Sequence, residues 1–418
     1  MRVAVLGGGV VGVAAAWYLA EAGAEVTVVE RNDVAASECS FAPTGQLAPG
    51  HCGAWASPRA PGILLRSLVN PDAALRLLPH ALPGLMRWGI AFLRECTDER
   101  YKRNSLIKLR LCLDSTQATR DLRDKLGLRY DNDDNGALFL HRDRARFEKE
   151  ARGAEAMAAH GLKLEVLDAE GAARIDPGLA PVKDKLVGAL YSPVDGSGDC
   201  GAFTRALAER AAAKGVVFRC GSPIERIEED GDRIAGVVTS SGRVEADTYV
   251  LCLGAESPRL MDPLGVHLPI YPVKGYSMTL PVKPGGAVPR MAMVDEENLV
   301  GIARLGDRVR FAGKAVFTGY DTKIVPEMFG GMKKVARDLF PDGVDEARPS
   351  YWACLRPMTA DGPPIMGTAK HRNLYLNTGH GHVGWTLACG SGRAIANMVF
   401  GRDPGIDLDG VRLEGREL

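Results

Sequence analysis

The first thirty residues alternate between apolar and glycine-rich stretches in an order that predicts a strand, a tight turn, a helix and a second strand. An apolar run at residues 3–6 leads directly into a GxGxxG motif at residues 7–12. Small apolar residues with helical spacing follow, and then an alternating run at residues 25–29 that ends in Glu30. This order, with an acid at the tip of the second strand, is typical of a dinucleotide-binding βαβ unit.

Each glycine of the motif has a physical role in such a unit. Gly7 permits the tight turn, Gly9 lets a pyrophosphate approach the backbone, and Gly12 lets the helix pack closely on the sheet. The helix N-terminus then faces the phosphates with free N–H groups and a partial positive charge. The Glu30 carboxylate is placed to accept hydrogen bonds from the ribose hydroxyls. We therefore predict that the chain binds a dinucleotide.

The same pattern returns much later in the chain. A helix at residues 202–214 and a buried strand at residues 248–254 fit a dinucleotide-binding domain, and the strand closes on Gly254. Residues 351–400 hold a loop, a strand at residues 374–377, a glycine-rich turn and a final helix. A dinucleotide-binding site that is completed by the C-terminal segment suits a larger and more buried cofactor than NAD. The pattern therefore favours FAD.

The intervening segments predict a second, β-rich domain. A glycine- and proline-rich loop at residues 41–61 precedes a helical region, and residues 270–318 alternate as a sheet that would cover the substrate. The predicted fold is α/β, with an FAD-binding Rossmann-type domain interleaved with a β-rich substrate-binding domain. The first domain is assigned to residues 1–60, 190–262 and 350–418, and the second to residues 61–189 and 263–349.

Composition narrows the possible partners. The 418 residues include 52 Lys and Arg against 52 Asp and Glu, so the formal net charge is zero and no nucleic-acid partner is expected. The nine cysteines form no CxxC motif, which predicts reduced thiols in the cytoplasm and neither a disulfide framework nor a metal site. Neither an export signal nor the ~18 uninterrupted apolar residues of a membrane span is expected.

Residues 72–92 are apolar and carry scattered arginines, among them Arg76 and Arg87, with Arg66 just before them. Two interpretations remain open. The segment is either a pair of core helices broken at Pro83, or a surface that lies on a membrane with Trp88 and Phe92 inserted.

Several longer motifs give a specific resemblance. They are SFAPTGQLAPG at residues 40–50, YPVKGYS at 271–277, LRPMTADG at 355–362, NTGHG at 377–381 and GWTLACGSG at 384–392. Over essentially its whole length the chain resembles the small subunits of bacterial D-amino-acid dehydrogenases, within the D-amino-acid oxidase and glycine oxidase superfamily. The resemblance implies noncovalent FAD and oxidative deamination of D-amino acids to 2-oxo acids and ammonia. It also implies electron transfer to a quinone or another respiratory acceptor, with peripheral association at the cytoplasmic face of the inner membrane.

The resemblance places the substrate carboxylate on Arg356. A guanidinium binds a carboxylate bidentately and stays charged, and pinning the carboxylate aims the Cα–H at flavin N5. A structural salt bridge is the alternative role for Arg356. The loop from Gly379 to Trp385 would supply N–H donors to flavin N1 and the C2 carbonyl. Tyr271, Tyr276, Lys274 and His382 are the expected pocket residues, although strand aromatics are often only core.

The predicted cofactor-binding residues are Gly7, Gly9, Val11, Gly12, Glu30, Arg31, Thr44, Gly45, Gln46, Pro223, Ile224, Gly254, Gly379, His380, Gly381, Gly384 and Trp385. His380 is interpreted as a residue of the flavin loop, with an acid–base role for His380 or His382 as the alternative. A covalent flavin link through Cys354 is the less favoured alternative to a buried free thiol.

Two further functions stay open. One is oxidation of glycine, sarcosine, D-proline or hydroxyproline within the same superfamily. The other is a non-catalytic flavin subunit of a membrane complex, against which the Arg356 motif argues. The acceptor, the oligomeric state and the preferred side chain are not predicted.

Overall fold

The computed structural model describes residues 1–67 and 74–416. In chain order its α-helices are α1 (Val10–Glu21), α2 (Ala60–Ser67), α3 (Leu82–Glu95), α4 (Asp98–Leu126), α5 (Arg144–Ala158), α6 (Ala169–Ile175), α7 (Cys200–Ala213), α8 (Ser257–Met261), α9 (Gly330–Leu339) and α10 (Gly384–Val399). The strands are β1 (Arg2–Leu6), β2 (Glu25–Val29), β3 (Gln46–Leu47), β4 (Leu75–Leu77), β5 (Ala137–His141), β6 (Glu165–Asp168), β7 (Gly188–Ser192), β8 (Gly196–Ser197), β9 (Val217–Arg219), β10 (Ile224–Asp230), β11 (Arg233–Thr239), β12 (Gly242–Val244), β13 (Thr248–Leu251), β14 (Ile270–Pro281), β15 (Ala292–Asp295), β16 (Val300–Leu305), β17 (Arg308–Phe317), β18 (Ser350–Thr359), β19 (Ile365–Thr368) and β20 (Leu374–Thr378).

One sheet contains the predicted dinucleotide-binding unit. Within the described ranges it has six strands in the order β19-β20-β13-β1-β2-β9, parallel except for β19. Both faces of β1 are buried: Val3 and Val5 pack with α1, α7 and α10, and Ala4 and Leu6 pack toward β10–β12 and α8. A strand buried on both faces reads as an apolar run, as the sequence does.

The second large sheet is mixed. Where the chain is described it has nine strands, in the order β18-β14-β17-β16-β15-β5-β7-β6 with β4 beside β17. One face packs on α6 and α9. Part of the other face, near β14 and β18, packs on α3 through Leu85 and Trp88. The predicted α/β architecture, with a Rossmann-type sheet and a β-rich second part, is confirmed.

The domain boundaries stay a prediction, and the sheets argue for moving one of them. β18 lies within the segment assigned to the FAD-binding domain (350–418), yet it pairs with β14 along its whole length in the other sheet. Alternating apolar residues in β18 fit either sheet, so the sequence pattern alone does not assign it. We place that boundary after Thr359.

The apolar segment before residue 95 is one helix rather than two. A 3₁₀ turn at Pro79–Ala81 precedes α3, and Pro83 lies in the first turn of α3, where the missing N–H breaks no helical hydrogen bond. The interpretation as two helices broken at Pro83 is therefore wrong. Residues 72 and 73 and the side chain of Arg66 lie outside the described part. No helix of that part is both long and apolar enough to cross a membrane.

Helices α1 and α10 approach each other closely because Gly392 lies at their contact. A Cβ atom at Gly392 would lie 2.8 Å from the backbone nitrogen of Ala15 and 2.9 Å from the carbonyl carbon of Ala14. Real Cβ atoms do not approach backbone this closely. The contact holds the first and last helices of the chain together, with their N-termini toward one cavity.

We expect the substitution Gly392→Ala to lower the free energy of unfolding by about 1–3 kcal/mol, because it overpacks the α1–α10 contact. The matched control is Gly153→Ala in α5, where a Cβ meets open space. It should raise stability by about 0.5–1 kcal/mol. Urea unfolding followed by circular dichroism measures both. An unchanged or higher stability of the Gly392 variant would contradict the expectation.

Candidate active site

The glycine loop after β1 has the geometry of a phosphate-binding turn. Gly7 has φ +110°, and a Cβ there would lie 2.6 Å from the Cys252 carbonyl oxygen. A Cβ at Gly12 would overlap the Gly7 oxygen, so α1 packs directly on the turn. At Gly9 a Cβ would meet only Ser40 Oγ, at 3.3 Å. The N-cap residue of α1 is Gly9, which has no side chain to cap the helix. The Val10 N–H donates to Ser40 Oγ from the loop after β2. This end of the helix suits an anion.

Glu30 is oriented by backbone donors at the end of β2. One carboxylate oxygen accepts from the Gly8 N–H at 2.7 Å, and the other accepts from the backbone and side-chain nitrogens of Asn32 at 2.8 and 2.6 Å. Each oxygen of an ionised carboxylate has more than one lone pair. The buried carboxylate is therefore fixed in place and still able to accept from ribose hydroxyls.

The chain end contributes the opposite wall of the same cavity. The turn at Gly381–Val383 leads into α10, whose N-terminus has no side-chain cap. Ala48 N–H donates to Thr386 Oγ1 at 3.1 Å, which ties this wall to the loop after β3. The N-terminus of a sixteen-residue helix carries free N–H groups and partial positive charge. It can stabilise an electron-rich group that faces it.

One continuous cavity of 2490 Å³ joins these parts. Pockets for drug-sized ligands hold about 300–1,000 Å³, so this cavity has room for a dinucleotide and a small substrate together. The predicted cofactor-binding residues on its wall are Gly7, Gly9, Val11, Glu30, Arg31, Thr44, Gly45, Gln46, Pro223, Ile224, Gly254, His380, Gly381, Gly384 and Trp385. Gly12 and Gly379 lie behind the wall, where they permit close packing: a Cβ at Gly379 would lie 2.7 Å from Thr359 Cγ2.

Gln46 is held by the β-rich sheet. Its side-chain amide donates to the carbonyls of Met293 at 2.7 Å and Ile302 at 3.2 Å, so both of its N–H groups are engaged. Thr44 packs beside Gly301, where a Cβ would lie 2.8 Å from the Thr44 methyl group. These contacts fix the loop between the two sheets.

Arg356 lies on β18 with its guanidinium at the cavity wall. It donates to the Lys314 carbonyl oxygen at 2.8 Å, and in residues 1–67 and 74–416 it forms no ion pair with a carboxylate. A Cβ at Gly275 on β14 would overlap the guanidinium, so the absence of a side chain there makes room for it. Burial lowers the Arg356 pKa from its ordinary value. A buried cation without an acid is costly alone and favourable beside an anionic ligand. The alternative of a structural salt bridge finds no support.

His382 lies on the cavity wall near several basic side chains. Its ring stacks on Trp55 with centroids 5.2 Å apart. Burial lowers its pKa well below the usual value, and the nearby positive charges of Lys108, His51 and Arg356 add to this. His382 Nδ1 is buried without a hydrogen-bond partner in the described chain. The ring is therefore neutral, and the cations around it favour a negatively charged ligand.

His380 is neutral as well. Burial lowers its pKa to about 3, and its Nε2 lies 3.2 Å from Ser391 Oγ. A group with this pKa carries no proton to exchange near neutral pH, which supports the interpretation as a loop residue rather than an acid or base.

Two of the expected pocket residues, Lys274 and Tyr276, have side chains packed into the core, and only Tyr276 borders the cavity. Lys274 is 1% exposed, and its ammonium binds the Asp321 carboxylate and the Lys323 carbonyl. Tyr276 packs edge-on against Phe329 in the core beneath the sheet. Arg356 pairs with Val273 across the ladder, and successive strand residues face opposite sides. Lys274 therefore points to the other face, and the prediction that it lines the pocket needs correction. Tyr276 borders the cavity, although its ring packs into the core.

Tyr271 shares the face of Arg356 but lies behind the wall. Its ring packs against Trp88 and Phe317, and its hydroxyl accepts from the Gly319 N–H at 3.1 Å. Both of those neighbours line the cavity. Tyr271 thus supports the pocket from a second layer.

Sequence reasoning does not identify four of the cavity residues, Trp55, His51, Trp88 and Phe317, nor Lys108, whose charge acts on His382 from behind the wall. A tryptophan in a glycine- and proline-rich loop is a detectable signal, and Trp55 is one. Lys108 is 1% exposed within α4 and donates to the Gly53 carbonyl at 3.2 Å. Nothing in the helical pattern around Lys108 distinguishes it from a solvent-facing lysine.

Cys354 is a free thiol in contact with the Cys39 thiol, their sulfurs 2.9 Å apart. The preferred interpretation is a buried free thiol, and Cys354 is instead partly exposed. The described residues contain no group of three or more side chains that would hold a metal ion.

The donor set fits FAD. The glycine turn and uncapped α1 suit its pyrophosphate, Glu30 suits its adenosine ribose, and the N-terminus of α10 suits the electron-rich edge of a reduced flavin. The cavity is long enough to place these groups on one ligand, with Arg356 on the wall beyond them.

Curated relatives match over almost the whole chain. A D-amino acid dehydrogenase of Paramagnetospirillum magneticum is 45% identical over 99% of this chain and 98% of its own. Another, from Bradyrhizobium diazoefficiens, is 42% identical over 99% of this chain and 98% of its own.

Solved structures show the same fold. Glycine oxidase from Geobacillus kaustophilus aligns with a TM-score of 0.76 at 22% identity, over 99% of both chains. L-proline dehydrogenase from P. horikoshii aligns with a TM-score of 0.71 at 20% identity, over 96% of both chains. The family model for FAD dependent oxidoreductases matches residues 2–398. Together with the cavity and its donor groups, these similarities show that the chain belongs to the FAD-dependent oxidoreductase family.

Proposed function

We propose that this protein oxidises D-amino acids to 2-oxo acids and ammonia with FAD as its cofactor. The observation that carries the proposal is the guanidinium of Arg356, which lies on the cavity wall without a carboxylate partner in the described residues. The substrate carboxylate completes this ion pair. The relatives named D-amino acid dehydrogenase support the choice of substrate class.

The chain's residues bind and orient the amino acid. Arg356 holds the carboxylate through two parallel hydrogen bonds, which fixes the substrate Cα relative to the cofactor. The Lys108 ammonium adds positive charge near His382, whereas His51 is paired with the Glu296 carboxylate at 3.0 Å. Trp88 and Phe317 provide apolar wall for a side chain. The carboxylate and the apolar wall together define which Cα substituent faces the cofactor, and so the handedness of the substrate.

The reaction needs little proton transfer by the protein. Bound FAD would supply the acceptor for a hydride from the substrate Cα. Loss of hydride from a neutral amine gives an iminium ion, which water hydrolyses to the 2-oxo acid and ammonium. The α10 N-terminus stabilises the negative charge that develops opposite it. His380 and His382 are uncharged near neutral pH, so neither is assigned a proton transfer. Their role is instead to position the loop and exclude water.

The first test follows flavin absorbance under anaerobic conditions. We expect D-alanine, but not L-alanine, to bleach the flavin of the purified protein. Bleaching only by glycine, sarcosine or D-proline would favour the alternative of a small or secondary amine substrate. A yellow protein that none of these compounds bleaches would contradict the proposal and favour a non-catalytic flavin subunit.

Arg356→Gln should lower kcat/KM for D-alanine by about 10²–10³-fold, since truncating one partner of a buried charge pair costs about 2–5 kcal/mol. Flavin content should stay unchanged. Arg356→Lys keeps the charge and loses the bidentate geometry, so its kcat/KM should lie between those of the wild type and Arg356→Gln. Arg348→Gln is the control, because Arg348 is exposed and pairs with Asp345. Wild-type kinetics of Arg356→Gln would overturn the assignment of Arg356 as the residue that binds the substrate carboxylate.

We propose that Glu30 holds the adenosine ribose. Glu30→Gln should weaken FAD binding by about 10–100-fold, because a hydrogen bond to a charged group contributes about 1.5–3 kcal/mol. Fluorescence titration of the apoprotein with FAD measures the change. Glu25→Gln, at the exposed start of the same strand β2, should leave the affinity unchanged. Equal affinities for the two variants would argue against this role of Glu30.

We further propose a quinone as electron acceptor and a peripheral site on the cytoplasmic face of the inner membrane. An apolar stripe on α3 supports this: Leu82, Met86, Ile90 and Leu93 are all about half or more exposed, with Met86 at 66%. They lie on one side of the helix, and the exposed Arg87 and Arg94 border the stripe. Trp88 is buried and is not available for insertion.

Vesicle sedimentation tests the membrane site. The protein should sediment with vesicles containing phosphatidylglycerol and less with neutral phosphatidylcholine vesicles, because the arginines attract anionic lipid. Met86→Glu should abolish sedimentation. Val166→Glu, at an exposed apolar position on β6, should not. Equal sedimentation of the two variants would contradict the proposed surface.

A further inference from the structure

Two thiols meet at the cavity wall and have no part in the proposed reaction. Cys39 lies in the loop after β2, and Cys354 lies in the middle of β18, 315 positions later. Their sulfurs are 2.9 Å apart, and Cys39 Sγ is also 2.7 Å from the Leu355 carbonyl oxygen. Both residues are partly exposed and both line the cavity.

We propose that Cys39 and Cys354 are a modification site, where hydrogen peroxide converts the two thiols into a disulfide. A disulfide bond is about 2.05 Å long, so the sulfurs need to approach by only about 1 Å. The loop after β2 would then be joined covalently to the strand that carries Arg356.

The surroundings of the pair hold the two sulfurs face to face. Phe41, two residues after Cys39, packs on Trp352, two residues before Cys354, with ring centroids 4.7 Å apart. Ser40 is fixed by its hydrogen bond from the Val10 N–H. Cys354 faces the cavity side of β18 together with Arg356, because residues two apart on a strand share a face. Backbone on both sides of the pair is therefore anchored.

The chemistry balances with peroxide as the oxidant. One thiolate attacks the peroxide O–O bond and becomes a sulfenic acid while water leaves. The second thiol attacks the sulfenic sulfur, the S–S bond forms and a second water leaves. Two thiols thus give up two electrons and two hydrogens in total, and peroxide is reduced to two waters. The hydrogen bond with Cys354 and burial raise the Cys39 pKa, and the nearby Arg356 guanidinium only partly opposes this. The closeness of the two sulfurs, rather than a stabilised thiolate, is therefore what favours the second step.

A second thiol pair provides an internal comparison. Cys52 and Cys112 are also neighbours, and the hydrogen bond with Cys112 together with the Lys108 charge lowers the Cys52 pKa against the effect of burial. Cys112, however, is fully buried. Peroxide that enters the cavity meets Cys39 and Cys354 together, whereas it reaches only one member of the other pair.

The test uses the flavin-loaded protein treated with hydrogen peroxide. Remaining thiols are then blocked with iodoacetamide, and a non-reducing digest is mapped by mass spectrometry. We expect a cross-linked peptide containing Cys39 and Cys354, lighter by two hydrogens than the two thiol peptides. The number of free thiols should fall from nine to seven and return with dithiothreitol.

Variants separate this pair from the others. Cys39→Ser and Cys354→Ser should each abolish the cross-link, whereas Cys220→Ser, a partly exposed cysteine elsewhere, should retain it. The oxidised wild type should also melt at a higher temperature than the Cys354→Ser variant, because the cross-link restricts the unfolded chain. Separate alkylation of Cys39 and Cys354 after peroxide, or a cross-link found only between Cys52 and Cys112, would overturn the proposal. Mapping of the wild type needs no variant, so a folding defect leaves the test intact.

Discussion

The contact between α1 and α10 is the constraint on which the site depends. These helices come from opposite ends of the chain, and they pack closely because Gly392 leaves no side chain in the way. Once they are together, the glycine turn after β1 and the turn before α10 face one cavity. A wider separation of the helices would leave two half-sites, each able to bind only part of a dinucleotide.

Electrostatics give the cavity a direction. The Glu30 carboxylate lies beside the glycine turn, whereas the cations Arg356 and Lys108 lie around a neutral His382. Burial strengthens the interaction of each of these charges with a ligand, because the dielectric constant is lower there than in water. A ligand with hydroxyl donors at one end and an anion near the other is thereby favoured over its reverse.

The local parts of this site follow from the sequence, and the parts built from strand faces do not. The turn from Gly7 to Gly12 and the acid at Glu30 are contiguous, so spacing alone predicts their geometry. Arg356 was identified by its motif. The sequence does not show that the Lys274 side chain lies off the cavity wall, because the alternation of a strand does not reveal which of its two faces meets the cavity. Lys108 and Trp55 depend on contacts between distant segments, which no local pattern encodes.

Gly275 has a consequence for the thermodynamics of binding. The guanidinium of Arg356 lies directly over its bare backbone and donates to the Lys314 carbonyl, so the side chain is already ordered before any ligand enters. An arginine free to rotate gives up about 2 kcal/mol of rotamer entropy when it is immobilised. Here that loss is incurred during folding, and the affinity for a carboxylate is greater by the corresponding amount.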